Sequence, residues 1–173
     1  MPDLPPRLDT DRLVARPPAP ADVAALVAVY DDAESVRFLY AGDPPGPADI
    51  AHMVATDTAH WHAHGYGRWV WFERDGGALV ARCGPRLALL GDAADVEIHW
   101  SVRADRRRRG LAVEAAEAAI AACFDGLAVG SVTALTHVEN APSERVARAL
   151  GFMREGVVEH HGAPHRLHRR RRG

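Results

Sequence analysis

The stretch Asp95–Phe124, DVEIHWSVRADRRRRGLAVEAAEAAIAACF, decides the fold. An alternating strand pattern, DVEIHWSV, gives way to a short basic loop containing Arg106–Arg109, and Gly110 then opens an Ala-rich helix. This order builds an anion site from backbone alone. The first turn of a helix has N–H groups without intrahelical acceptors, and its macrodipole puts partial positive charge at the same end. Gly110 has no side chain to block an approaching ligand. Flanking guanidinium groups add charge-assisted bonds to phosphate oxygens. A phosphate or pyrophosphate is what such a site suits. By themselves, four consecutive arginines read as a solvated loop. The strand before them and the helix after them reverse that reading. No GKS or GKT follows, and GxGxxG is absent.

Upstream, Leu8–Arg16 alternates as a first strand, closed by Pro17-Pro18. Asp22 precedes a short amphipathic helix, VAALVAVYDD, and Asp49–His64 reads as a second helix ending before Gly65. RWVWFERD is a strand with Trp69 and Trp71 on one face and Val70 and Phe72 on the other. Asp75-Gly76-Gly77 marks a hairpin turn. ALVARCGPRLALL continues as a strand interrupted at Gly84-Pro85, and Gly91–Ala94 turns again. Downstream come a strand, SVTALTHV, a turn and helix, ENAPSERVARALGF, and a last strand, REGVVEHH. Strands on both sides of the long helix imply a mixed α/β sheet. Residues 1–160 form one domain on this reading. Residues 161–173, basic and broken by proline, are expected to be a disordered tail.

Composition narrows the function. The chain has 173 residues, 47% hydrophobic and 25% charged, which suits one globular domain. A net charge of -2 gives no strong pull on nucleic acid or membrane. Every basic side chain is Arg. Cys83 and Cys123 read as two buried thiols rather than a bridge. No signal peptide or spanning run is visible, so the cytoplasm is the expected location. His52, His60, His62 and His64 read as surface histidines, since no Cys or carboxylate completes a metal site; no metal is expected.

The stretch Arg107-Arg108-Arg109-Gly110-Leu111-Ala112 resembles the R/Q-x-x-G-x-G/A signature of the GCN5-related N-acetyltransferases. Glu139-Asn140, with Ser143, Val146, Gly151 and Phe152 after it, resembles a later block of that family. Leu8–Pro17, Val36–Leu39 and Arg82–Gly84 resemble its ribosomal-protein N-terminal acetyltransferase subgroup. The likeness spans about Leu8 to Glu159. It implies a mostly antiparallel sheet flanked by helices, whose central strands splay into an acetyl-CoA cleft.

The resemblance also implies roles. The amides of Arg107–Ala112 hold the pyrophosphate of acetyl-CoA as co-substrate. Val102 and its neighbours, Trp100 included, line the pantetheine arm, and a backbone N–H of Glu97–Val102 faces the thioester oxygen. Asn140 anchors the cofactor or the turn beside it. The reaction moves an acetyl group directly to a primary amine, on a protein N-terminus or a small molecule. Glu97 matches the position of the family's base, with His99 two residues on as a second candidate. The alternative for Glu97 is pairing with an arginine; for Asn140 and Ser143 it is helix capping. The Tyr that protonates the thiolate in many members is Ala147 here; Ser143, directly or through water, is the candidate substitute, and unaided departure of the thiolate is the alternative. A non-catalytic acyl-CoA-binding protein is the competing reading. An RNA-binding module is disfavoured, because no aromatic stacking platform or RNA motif is present. Self-association as a homodimer stays open.

Overall fold

The computed structural model describes residues 3–38, 43–90 and 93–173. Its elements run β1 (Leu8–Asp9), β2 (Leu13–Arg16), α1 (Val23–Tyr30), α2 (Ala33–Val36), α3 (Pro47–His64), β3 (Trp69–Glu73) and β4 (Leu79–Leu90). They continue with β5 (Ala93–Val102), α4 (Leu111–Gly126), β6 (Ser131–His137), α5 (Ala141–Ala149), β7 (Met153–His160) and β8 (Ala163–Arg171). Eight strands form one sheet in the order β1-β2-β3-β4-β5-β6-β8-β7. All neighbours are antiparallel except β5 and β6.

The alternation of β3 assigns the two faces. Trp69 and Trp71 enter the core with Leu111, Ala115, Ala119 and Ile120 of α4. Val70 enters the opposite core with Leu26 and Val29 of α1 and Ile50 and Val54 of α3. Burying each Leu, Ile or Val among them contributes about 1.5–3 kcal/mol. α3 is also tied down by charge. Arg82 donates to Asp57 through Nε at 2.6 Å and Nη2 at 2.8 Å, and Arg68 adds a contact at 3.4 Å.

Four expectations change. Leu8–Arg16 is a hairpin, not one strand: Thr10 N–H donates to the Leu13 carbonyl, and Leu13 N–H to Thr10 Oγ1. β4 runs unbroken through Gly84-Pro85, because Gly84 sits at φ 146 where an added Cβ would lie 2.7 Å from Trp69. Only glycine lets the strand pass that ring. His60 is not a free surface histidine; its Nδ1 donates to the Tyr66 carbonyl and its Nε2 accepts from Leu87 N–H.

The largest change is the tail. Residues 163–171 are not disordered but form β8, inserted between β6 and β7. Its arginines meet carboxylates of this same chain: Arg169 reaches Asp95 at 2.7 Å and Glu155 at 2.9 Å, Arg170 reaches Glu117, and Arg171 reaches Glu155. The domain therefore runs past residue 160. Leu39, Gly91 and Asp92, which carried part of the sequence reading, lie outside the described residues.

Candidate active site

β5 and β6 part company almost where they meet. Among the described residues Glu97 and Thr133 form their one register pair, whereas β4 follows β5 from Ala93 to Val102. Past Glu97 the strands diverge, and a cleft opens between them. Ile98, His99 and Trp100 of β5 line one side; Leu135, Thr136 and His137 of β6 line the other. Asn140 and Ser143 at the start of α5 close one end, with Phe38 and His165 also in the lining.

Beyond the end of β5, Gly110 caps α4 in the left-handed region at φ 78. Arg108 precedes it at φ 59. Among the described residues none accepts from the amides of Arg108 to Val113; Glu114 N–H is the first to bond back, to Gly110. A Cβ at Gly110 would meet only Arg12, at 3.4 Å, so the loop's outer side is open. Arg12 braces the turn by donating to the Arg109 carbonyl at 2.8 Å and to Glu114 Oε2 at 2.6 Å. The Arg107 side chain is turned inward, to the Val102 carbonyl at 3.1 Å and Asp32 at 2.8 Å. Arg108 and Arg109 are exposed. Open amides at a helix start, beside exposed guanidinium groups, fit a diphosphate.

The structure brings Trp100, Asn140 and Ser143 into the cleft. Asn140 is also the cap of α5, its Oδ1 accepting from Ser143 N–H at 3.1 Å. Glu97 is not in the lining. It is 6% exposed, at the vertex of the splay, and Arg86 donates to its Oε2 at 2.9 Å. Pairing with an arginine is thus what is observed. His99 does line the cleft, with Nε2 3.0 Å from Ser101 Oγ. Burial pushes its pKa well below the ordinary range, and Arg68, Arg82 and Arg86 push the same way. At neutral pH the ring is uncharged.

Sequence reasoning missed Phe38, Thr136, His137 and His165. No local signal marks them, because the strand pairs that gather them are distant in the chain: His137 faces His165 across β6 and β8, and Phe38 stacks on His137 with ring centroids 4.8 Å apart.

The model of the Acetyltransferase (GNAT) domain family matches residues 12–153. The chain belongs to that family. This chain is an acyl-CoA-dependent acetyltransferase. It is 26% identical over 153 residues to the uncharacterised N-acetyltransferase YoaA of Bacillus subtilis strain 168, covering 88% of this chain and 86% of that one. A solved GNAT-family acetyltransferase from Bordetella pertussis superposes with a TM-score of 0.80 at 26% identity, covering 95% of this chain and 98% of that one. Mycobacterium smegmatis RimJ, solved in complex with CoA-disulfide, shares the fold with a TM-score of 0.73 at 20% identity, covering 98% of this chain and 88% of that one. No described helix of this acetyltransferase is long and apolar enough to cross a membrane, and no described group of three or more His, Cys, Asp or Glu is placed to hold a metal ion.

Proposed function

We propose that this acetyltransferase moves the acetyl group of acetyl-CoA to a primary amine, with a protein N-terminal α-amine as the favoured acceptor. The observation that carries the reading is the divergence of β5 from β6 after Glu97, one loop away from the open amides that begin α4. On this reading the amides from Arg108 to Ala112 cradle the diphosphate, with Gly110 leaving room and Arg108 and Arg109 adding charge; the Arg107 N–H, expected to join them, donates instead to the Ala104 carbonyl. Trp100 and Val102 flank the pantetheine arm, and Asn140 fixes the turn beside it. When bound, acetyl-CoA supplies an activated thioester. The chain's own contribution is to align the amine with it, which typically lowers a barrier by several kcal/mol.

The amine must lose a proton. Glu97 and His99 share a face of β5 and are the two candidates. His99 lines the cleft with a neutral ring that can accept the proton, although burial and Arg68, Arg82 and Arg86 oppose its keeping it; Glu97, whose Oε2 already holds Arg86, is the other. Ser143, on the first turn of α5, faces the departing sulfur.

The acceptor class follows from charge. Among the described residues lining the cleft there are three imidazoles and no carboxylate. A polyamine or aminoglycoside would want an acidic cleft. An α-amine has an unperturbed pKa near 8 and asks for little help in deprotonation. The likeness of Leu8–Pro17 to the ribosomal-protein N-terminal subgroup supports the same class.

The test is release of coenzyme A from acetyl-CoA against peptides with free or blocked N-termini, amino acids, polyamines and aminoglycosides. Turnover with free N-termini and none with blocked ones is expected. Turnover confined to polyamines or aminoglycosides would defeat the acceptor reading, and no heat of binding with coenzyme A would defeat the whole of it.

A further inference from the structure

Thr136 stands on β6 where that strand has left β5. The residue lines the cleft, in company with Ser143, yet it is 3% exposed. Behind it, Oγ1 lies 2.9 Å from Nε2 of His168, itself 3% exposed on β8. The two are diagonal neighbours, since Thr136 pairs with Arg166 and Ala134 with His168. Nothing assigned so far uses this pair.

Burial pulls the His168 pKa down. Arg154 and Arg166 act in the same direction and Glu144 against it. A neutral imidazole has one donor nitrogen. With the proton on Nε2, it donates to Thr136 Oγ1. The single hydroxyl hydrogen of Thr136 is then free to point away from His168, into the cleft.

The position of the family's Tyr is Ala147, fully buried and unable to donate. A departing thiolate still gains from a hydrogen bond. We propose that the Thr136 hydroxyl, held by Nε2–H of His168, donates a hydrogen bond to the sulfur of coenzyme A. Thr136 is then a catalytic residue for thiolate departure, and His168 a positioning residue. The carbon–sulfur bond breaks with its electron pair going to sulfur, and the hydroxyl keeps its proton. The proton lost by the amine goes to the base. This inference rests on the acetyl-transfer reading and puts Thr136 in place of Ser143 as the donor to the sulfur.

The test needs no acceptor. The thiol of bound coenzyme A is titrated by its ultraviolet absorbance in the wild type and in Thr136→Val, Thr136→Ser, His168→Leu, His168→Gln and Ser143→Ala. Burial pushes the thiols of Cys83 and Cys123 up, the latter to about 12, so the protein's own thiols stay protonated through the window. A hydrogen bond to a charged acceptor should make the bound thiol titrate about one to two pH units lower in the wild type than in Thr136→Val. Thr136→Ser and His168→Gln should keep most of that difference, and His168→Leu should lose it. Should Thr136→Val unfold, the two His168 variants make the same comparison. Equal values in the wild type and in Thr136→Val or His168→Leu overturn the inference, as does a shift produced by Ser143→Ala alone. Absence of any heat of coenzyme A binding to the wild type, seen before titration, would instead fell the acetyl-transfer reading.

Discussion

Glu97 on β5 stands opposite Thr133 on β6, and among the described residues this is the single register pair joining the two strands. Thr133 Oγ1 also donates to the Val96 carbonyl at 3.3 Å, which fixes the point at which the strands come apart. Arg86, on the neighbouring β4, holds the Glu97 carboxylate at the same point. The vertex of the cleft is therefore a pinned joint between the residues that line either side of it.

That joint separates the roles of two neighbours. His99→Gln should lower kcat by about 100-fold or more with the best peptide acceptor, the usual size of a general-base contribution. Glu97→Gln should leave Arg86 without its partner and lower thermal stability as well as activity. The check is kcat and melting temperature measured together. Loss of kcat in Glu97→Gln with His99→Gln unaffected would return the base to Glu97.

Gly110 makes a second demand. Its φ of 78 strains any residue with a Cβ, at a cost of about 1–2 kcal/mol. Gly110→Ala should therefore either shift the loop or strain it, and coenzyme A should bind about 10-fold more weakly by calorimetry. Gly110→Asp places a carboxylate at the same amides and should abolish binding. Unchanged affinity in both would remove the diphosphate from the start of α4.

The same comparison shows what was legible in the sequence. The strand–loop–helix order at Asp95–Phe124 could be read locally, because alternation, Gly110 and the Ala-rich run are contained within it. The opposed faces of Trp69 and Val70 could be read for the same reason. β8 could not. Its sequence, APHRLHRRR, has no apolar alternation, and its arginines are neutralised by Asp95, Glu117 and Glu155, far away in the chain. A charge run looks solvated until its partners are known. The histidines of the cleft were hidden in the same way, since His165 arrives only with β8.

β8 is accordingly essential. It pairs with β6 along Ser131–His137 and with β7 along Met153–His160, so removing it leaves β7 without a sheet partner, β6 with only its register pair to β5, and His137 without His165. A chain ended after Gly162 should be insoluble or melt without cooperativity. Circular dichroism on heating decides it, and a cooperative melt near that of the full chain would contradict the topology.

The buried charges under β4 give a stability prediction. Asp57 accepts from Arg82 twice and sits beside Arg68, so Asp57→Ala leaves two buried guanidinium groups facing one another. Breaking such a pair from one side costs about 3–5 kcal/mol. The denaturant midpoint should fall accordingly. A loss below about 1 kcal/mol would mean that water reaches the cluster.

Acid stability follows from the neutral histidines. His99, His168 and His60 all have pKa values lowered chiefly by burial. In the unfolded chain each binds a proton near pH 6.5. Between that pH and the lower folded values the unfolded state holds more protons, so the native state loses stability as pH falls. Stability from these groups is complete above about pH 7 and declines below about pH 6.5. Arg68, Arg82 and Arg86 face His99 and add to burial there, whereas at His168 burial outweighs Glu144, with Arg154 and Arg166 on its side. Denaturant midpoints taken from pH 8 to pH 5 should fall, and His99→Gln should flatten the fall while lowering the plateau. A midpoint that rises toward pH 5 would show that these rings are charged in the folded protein.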